Sequence, residues 1–134
     1  MDYMAVALEL AKKAQAKGEV PIGAVIVRNG KVIAAAHNRR EAKQNALYHA
    51  EILAINKACR KLRSWRLDDC EMYVSLEPCQ MCAGAITNAR IKRVIIGAKS
   101  NTDLNWKTEV EFDLRDECSD ILKSFFSNKR RPKV

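Results

Sequence analysis

The sequence predicts an α/β fold in which helices cover both faces of a mixed sheet. Strand-like and helix-like stretches alternate along the chain, and that order places helices over a sheet. Asn29-Gly30 joins the first two strand-like runs, a two-residue hairpin signal that makes this pair antiparallel and the sheet mixed. A length of 134 residues suits one domain spanning 1–134. Such a chain buries roughly two thirds of its unfolded surface without a staple.

Each element has its own warrant. From Tyr3 to Lys17, Met4, Leu8 and Ala11 recur near a helical period, with Val6 and Leu10 beside them, and Gly18 ends the helix. Val20 to Arg28 is rich in Val and Ile, and Lys31 to Ala36 forms the return strand. His37 to Tyr48 is polar and reads as a loop. A second helix begins at His49, with Ile52, Ile55, Cys59 and Leu62 as its apolar stripe and Lys57, Arg60, Lys61 and Arg63 directed elsewhere. Glu71 to Leu76 is a short strand. Pro78 stands where a helix starts, and Cys79 to Ala89 is small and apolar enough to pack tightly. Arg93 to Ala98 holds a buried strand, Lys107 to Asp113 alternates weakly as an edge strand would, and Leu114 to Phe126 closes with a helix. That helix has a stripe of Leu114, Cys118, Ile121, Leu122 and Phe125. No repeat and no Gly, Ser or Pro linker interrupts the order.

Composition narrows the function classes. Hydrophobic residues make up 48% and charged residues 30%, with five Gly and three Pro, which excludes disordered and collagen-like chains. No apolar run approaches the ~20 residues of a membrane span, so no membrane partner is expected. Twenty-four Lys and Arg against sixteen Asp and Glu leave a formal charge of +8, which favours polyanionic partners, nucleic acid first. The five cysteines are unevenly spaced, and Met1 to Leu10 carries two acids instead of a basic, apolar leader. Reduced thiols in a cytoplasmic protein are therefore expected.

Three residues have the identity and spacing of zinc ligands: His49, Cys79 and Cys82. Three positions apart on a helix, the two sulfurs face one way. Unpaired amides and the positive dipole end in a first helical turn favour thiolate. Three protein ligands leave the fourth tetrahedral position to water, the pattern of catalytic zinc. Glu51, two residues after His49, approaches from beside that ligand and is the candidate proton carrier. A structural zinc site is the rival reading, and its fourth ligand would be Cys59, Cys70, Cys118 or His37. Singly, a C-x-x-C pair is also found in packed cores, a histidine is often structural, and a glutamate usually faces solvent. Together, His49-Ala50-Glu51 and Pro78-Cys79-Gln80-Met81-Cys82 match H-x-E…P-C-x-x-C, a documented pattern of zinc nucleobase deaminases.

The chain resembles the bacterial tRNA-specific adenosine deaminases of the cytidine deaminase-like superfamily. The resemblance rests on Gly18-Glu19-Val20-Pro21-Ile22-Gly23-Ala24-Val25-Ile26-Val27, Asn38, His49-Ala50-Glu51-Ile52, Leu76-Glu77-Pro78-Cys79-Gln80-Met81-Cys82-Ala83-Gly84-Ala85 and Ala89-Arg90-Ile91. It runs to about Ala98 and resumes at Asp116-Glu117-Cys118 and Leu122-Lys123-Ser124-Phe125-Phe126. It implies a three-layer α/β/α sandwich with a five-stranded mixed sheet, and a homodimer with active sites near the interface. It implies hydrolysis of the wobble adenosine of a tRNA anticodon to inosine. It also implies one Zn2+ per subunit on His49, Cys79 and Cys82, proton transfer by Glu51, and a nucleoside contact from Asn38, which otherwise reads as a turn residue. The Cys79 amide and the carbonyl of Ser75 or a neighbour are further candidates for orienting the reacting groups.

An RNA partner also fits the C-terminus. Phe125 and Phe126 precede Lys129, Arg130, Arg131 and Lys133, an aromatic-and-cation arrangement that can stack a splayed anticodon-loop base. Phe125 fits the core stripe, which makes Phe126 the contact candidate. Two features depart from the family pattern. Lys99 to Trp106 runs almost directly into the last strand, where relatives carry an Asp-x-Lys-x-Gly loop and a further helical stretch. Leu47-Tyr48 precedes His49 where small residues are usual. The rival functions are a deaminase of a free base or nucleoside, such as guanine or cytosine, and an RNA-binding protein without enzymatic activity. The first has no use for the basic tail, and the second none for Glu51.

Overall fold

Asn29 and Gly30 adopt φ of 51° and 74°, the left-handed pair that a tight type I′ hairpin requires. In the computed structural model, which describes residues 1–129, they join β1 (Gly23–Arg28) to β2 (Lys31–His37). Before the hairpin lies α1 (Tyr3–Ala16), capped by the Asp2 carboxylate on the Ala5 amide and ended at Gly18, whose φ is 76°. After it come α2 (Arg40–Lys43), α3 (Ala50–Leu62), β3 (Cys70–Val74), α4 (Gln80–Asn88), β4 (Arg93–Ile96), β5 (Glu109–Phe112) and α5 (Asp116–Lys129).

The five strands form one sheet in the order β2-β1-β3-β4-β5. β1 is antiparallel to both neighbours, while β3, β4 and β5 run parallel. Alternate residues feed opposite faces. Ala24, Ile26, Met72, Val74, Val94 and Ile96 pack with α3 and α4, whereas Val25 and Ile95 pack with α1 and α5. The expected three-layer sandwich with a five-stranded mixed sheet is present, and β5 is an edge strand, with β2 at the other edge. No helix among the described residues is long and apolar enough to cross a membrane.

Three local expectations are corrected. The buried face of α3 is Ala50, Glu51, Ala54 and Ala58, while the expected stripe of Ile52, Ile55, Cys59 and Leu62 is only half-buried. The small residues face the sheet because a close-packed interior admits a helix backbone nearer to strands there, and the larger side chains flank that contact. The expected loop from His37 to Tyr48 contains the single turn of α2. Its warrant is tertiary: the buried Glu19 carboxylate accepts the Glu41 and Ala42 amides at 3.1 and 2.7 Å. Leu114 lies before α5 and is exposed, while Cys118, Leu122 and Phe125 are buried as expected. Of the basic tail, Arg130, Arg131 and Lys133 lie outside the described residues.

Candidate active site

Two helix N-termini converge on one face of the sheet. β2 ends at His37, and the chain returns through α2 so that His49 caps the start of α3. β3 ends at Val74, and Pro78 helps the chain turn so that Cys79 caps the start of α4. The carbonyls of His49 and Cys79 accept the first intrahelical bonds, from Leu53 and Ala83. Cys82 lies in the first turn of α4 and Glu51 in the first turn of α3, both buried.

This convergence brings the three predicted donors together. His49 Nδ1 lies 3.7 Å from Cys79 Sγ and 3.5 Å from Cys82 Sγ. All three donor atoms fall within 4.8 Å of one another. A tetrahedral zinc, with Zn–S of about 2.3 Å and Zn–N of about 2.0–2.1 Å, separates nitrogen from sulfur by about 3.5–3.6 Å. The donor set therefore fits zinc in both chemistry and spacing, and it contains three protein ligands. No fourth candidate joins it among the described residues. The Cys59 thiol faces the Trp65 carbonyl, the Cys70 thiol faces Asp69, Cys118 on α5 packs into the apolar cluster with α1, and His37 Nδ1 meets the Asn38 carbonyl. The four-ligand structural site has no support in this arrangement.

Glu51 is 2% exposed, and its Oε1 has no hydrogen-bond partner. A buried polar atom without a partner costs roughly 1–3 kcal/mol, more when charged, so such an atom commonly marks a group kept for a ligand. Burial raises its pKa to about 7, against smaller opposing contributions from its own backbone and from Cys82. Burial, then the Glu51 charge, pushes the Cys82 thiol up. A divalent cation opposes that push, since a coordinating thiol is deprotonated outright. Burial and the nearby Arg40 charge hold His49 below the usual histidine range, which favours the neutral, ligating imidazole.

Of the predicted substrate contacts, Asn38 adjoins the start of α3 and Phe126 lies on α5. Asn38 is 2% exposed, and its Oδ1 accepts the Ala50 amide at 2.8 Å. The donor identity fixes the orientation of the side-chain amide: Oδ1 is committed to the first turn of α3, and Nδ2 has no partner among the described residues. Phe126 is 43% exposed and packs edge-on against Phe125, with ring centroids 5.4 Å apart. It lines a cavity of about 580 Å³ with Leu76, Lys99, Asn101 and Lys123. Ser75 is fully buried just past the end of β3, where its hydroxyl accepts the Gly23 amide and its own amide donates to the Gly23 carbonyl. It therefore braces β1 against the end of β3. Glu19 was missed as a support of the loop behind His49. Its sequence cue was an acid placed between a helix-ending Gly18 and Val20-Pro21.

The model of the MafB19-like deaminase family matches residues 1–130. A tRNA-specific adenosine deaminase of Bacillus subtilis (strain 168) is 45% identical over 146 aligned residues, covering 98% of this chain and 91% of that protein. A solved structure from work on A-to-I editing by tRNA deaminases at the wobble position of transfer RNA is 38% identical. It superposes with a TM-score of 0.84 and covers 89% of this chain and 97% of that one. A guanine deaminase from Nitrosomonas europaea superposes with a TM-score of 0.85 at 27% identity, covering 92% of this chain and 82% of its own.

Proposed function

The chain belongs to the MafB19-like deaminase family and, by identity over nearly its full length, to the tRNA-specific adenosine deaminases; from that premise we propose that residues 1–134 form one deaminase domain that hydrolyses the wobble adenosine of a tRNA anticodon to inosine. The observation that carries the chemistry is the buried Glu51 carboxyl, whose Oε1 has no partner, beside a three-donor cluster.

His49, Cys79 and Cys82 hold one zinc ion in this reading, and the bound ion supplies Lewis-acid activation of water near neutral pH. Glu51 takes a proton from the water that attacks carbon 6 of the purine. It delivers that proton to ring nitrogen 1, takes the second from the new hydroxyl, and passes it to the departing amine. Adenosine and water thus become inosine and ammonia. Burial pushes the Glu51 carboxyl up from the ordinary carboxylate range and the ion's charge opposes that push, a balance suited to a group that must both take and give a proton. Asn38 fixes the start of α3 through Oδ1 and offers Nδ2 to the nucleoside. Phe126 offers a half-exposed ring to a neighbouring base, with Lys99 and Lys123 placed for phosphate. An anticodon loop is single-stranded, so extruding its base costs little.

The finer assignments complete the reading. The enzyme works as a homodimer in the cytoplasm and binds RNA. Leu47 and Met81, both exposed apolar residues at the starts of the two site helices, support an association surface beside the site. The likeness to a guanine deaminase keeps a free base as the second reading. Incubation with bulk tRNA, and separately with free adenosine, guanine and cytosine, decides between them. Inosine at an anticodon wobble position is the expected result, whereas ammonia from a free base alone overturns the tRNA assignment.

A further inference from the structure

At the end of α3 remote from the site, the chain carries a second basic surface that the deamination chemistry does not use. α3 has 13 residues, so its C-terminus lies about 20 Å along the helix from His49. Arg60 and Lys61 occupy its last turn, and Arg63 caps it in the left-handed conformation with φ of 52°. Trp65 follows, 61% exposed, with the Arg66 guanidinium 5.4 Å from its ring centroid. Leu67 donates its amide to the Ala89 carbonyl, and Lys92 donates its amide to Cys70, so the turn after α4 joins this surface and adds Lys92.

Charge pairing separates this patch from an ordinary solvated face. Asp68 is engaged by Arg66, and Asp69 by Arg28. Among the described residues, Arg60, Lys61, Arg63 and Lys92 form no ion pair. Four cations without ion pairs at the same end of the fold as a large exposed ring are the features of a backbone-tracking, base-stacking surface. Lysine is depleted at protein–protein interfaces, and Lys61 and Lys92 belong to this patch.

We propose that Arg60, Lys61, Arg63, Lys92 and Trp65 form a second RNA-binding surface, which engages the phosphate backbone of the substrate tRNA away from its reacting base. This rests on the tRNA reading above. The surface raises affinity for intact tRNA over that for an isolated loop and takes no part in proton transfer.

The test uses the full chain with zinc and two probes: intact tRNA and a short single-stranded oligonucleotide of anticodon-loop sequence. One variant combines Arg60→Gln, Lys61→Gln and Arg63→Asn, asparagine being chosen because it tolerates positive φ. A second variant is Trp65→Ala. The triple variant is expected to bind intact tRNA about tenfold or more weakly, with a salt-dependence slope shallower by about 2–3. Its binding and deamination of the oligonucleotide stay unchanged. Trp65→Ala is expected to weaken binding of intact tRNA while the sedimentation coefficient holds. Unchanged tRNA affinity in both variants overturns the surface while leaving the proposed function standing. Equal loss on both probes, or an altered oligomeric state with unaltered RNA binding, also overturns it. A parent protein that deaminates no tRNA adenosine overturns the function and this surface together.

Discussion

The two faces of the sheet handle polarity in opposite ways. Against α1 and α5 the contact is built from Met4, Ala7, Leu8, Val25, Ile95, Cys118 and Leu122, and the buried polar groups near it, Ser75 and Glu19, are spent on backbone amides. Against α3 and α4 the same sheet supports two buried polar side chains, Asn38 and Glu51, and two thiols that face an imidazole. The first face gains its stability from burial. The second gives up part of that gain to keep unpaired polar atoms where two helices begin. A cysteine shows the contrast well. Cys118 and Cys82 are both fully buried, yet only Cys82 has ligand-type neighbours. Burial alone therefore does not mark a functional cysteine; the company it keeps does.

Substitutions can break or sharpen this contrast, and the largest effect is expected at the donors. Cys82→Ser should leave the purified protein without stoichiometric zinc by metal analysis and without measurable deamination. Chelation of the parent should give the same loss, reversed by added zinc. A Cys82→Ser protein that retains both metal and turnover would remove the difference between the faces.

Glu51→Ala comes next. Turnover should fall by roughly 10²–10⁴-fold, the usual range for a lost general acid–base group, while zinc content is retained. Because this substitution removes a buried carboxyl with an unpartnered oxygen, the thermal midpoint should hold or rise. A fall in zinc content alongside turnover would make Glu51 a support for the ligands rather than a proton carrier.

Gly97→Ala probes the other face. An added Cβ there would meet Met4 Sδ at 2.8 Å and Cys118 Sγ at 2.9 Å. Overpacking of this kind costs about 1–3 kcal/mol, so chemical denaturation should show reduced stability with turnover per folded molecule unchanged. A selective loss of turnover would show the faces to be coupled.

The smallest effect belongs to Arg115, which bridges Asp2 at the start of α1 to Asp113 ahead of α5. The Arg115 hydrogen bond holds the Asp2 carboxyl below its ordinary 3.8. The folded value is lowered, so this pair's contribution is present above about pH 4 and fades as the pH falls through the folded value. Arg115→Ala should therefore lower the thermal midpoint slightly at neutral pH, with the gap from the parent closing below pH 4. A gap that widens in acid would contradict the pairing.

Much of this was legible in the sequence, for physical reasons. Asn29-Gly30 announces its hairpin because few other pairs tolerate two positive φ values. The donors were legible because ligand chemistry restricts residue types and helix geometry restricts their spacing. Local pattern was silent where tertiary contacts decide. On α3 hydrophobicity favours Ile52 and Ile55 as the buried stripe over Ala54 and Ala58, while the packing distance to the sheet favours the alanines. The turn of α2 exists because Glu19, more than twenty positions earlier, accepts its amides. The role of Asn38 in bracing Ala50 likewise depends on the chain's return path.

The coordination of the ion in the zinc-loaded protein, read by X-ray absorption at the metal edge, tests this site most directly. Two sulfur donors, one nitrogen donor and a fourth, light donor that exchanges with solvent are expected. Four protein donors with no exchangeable ligand would contradict it.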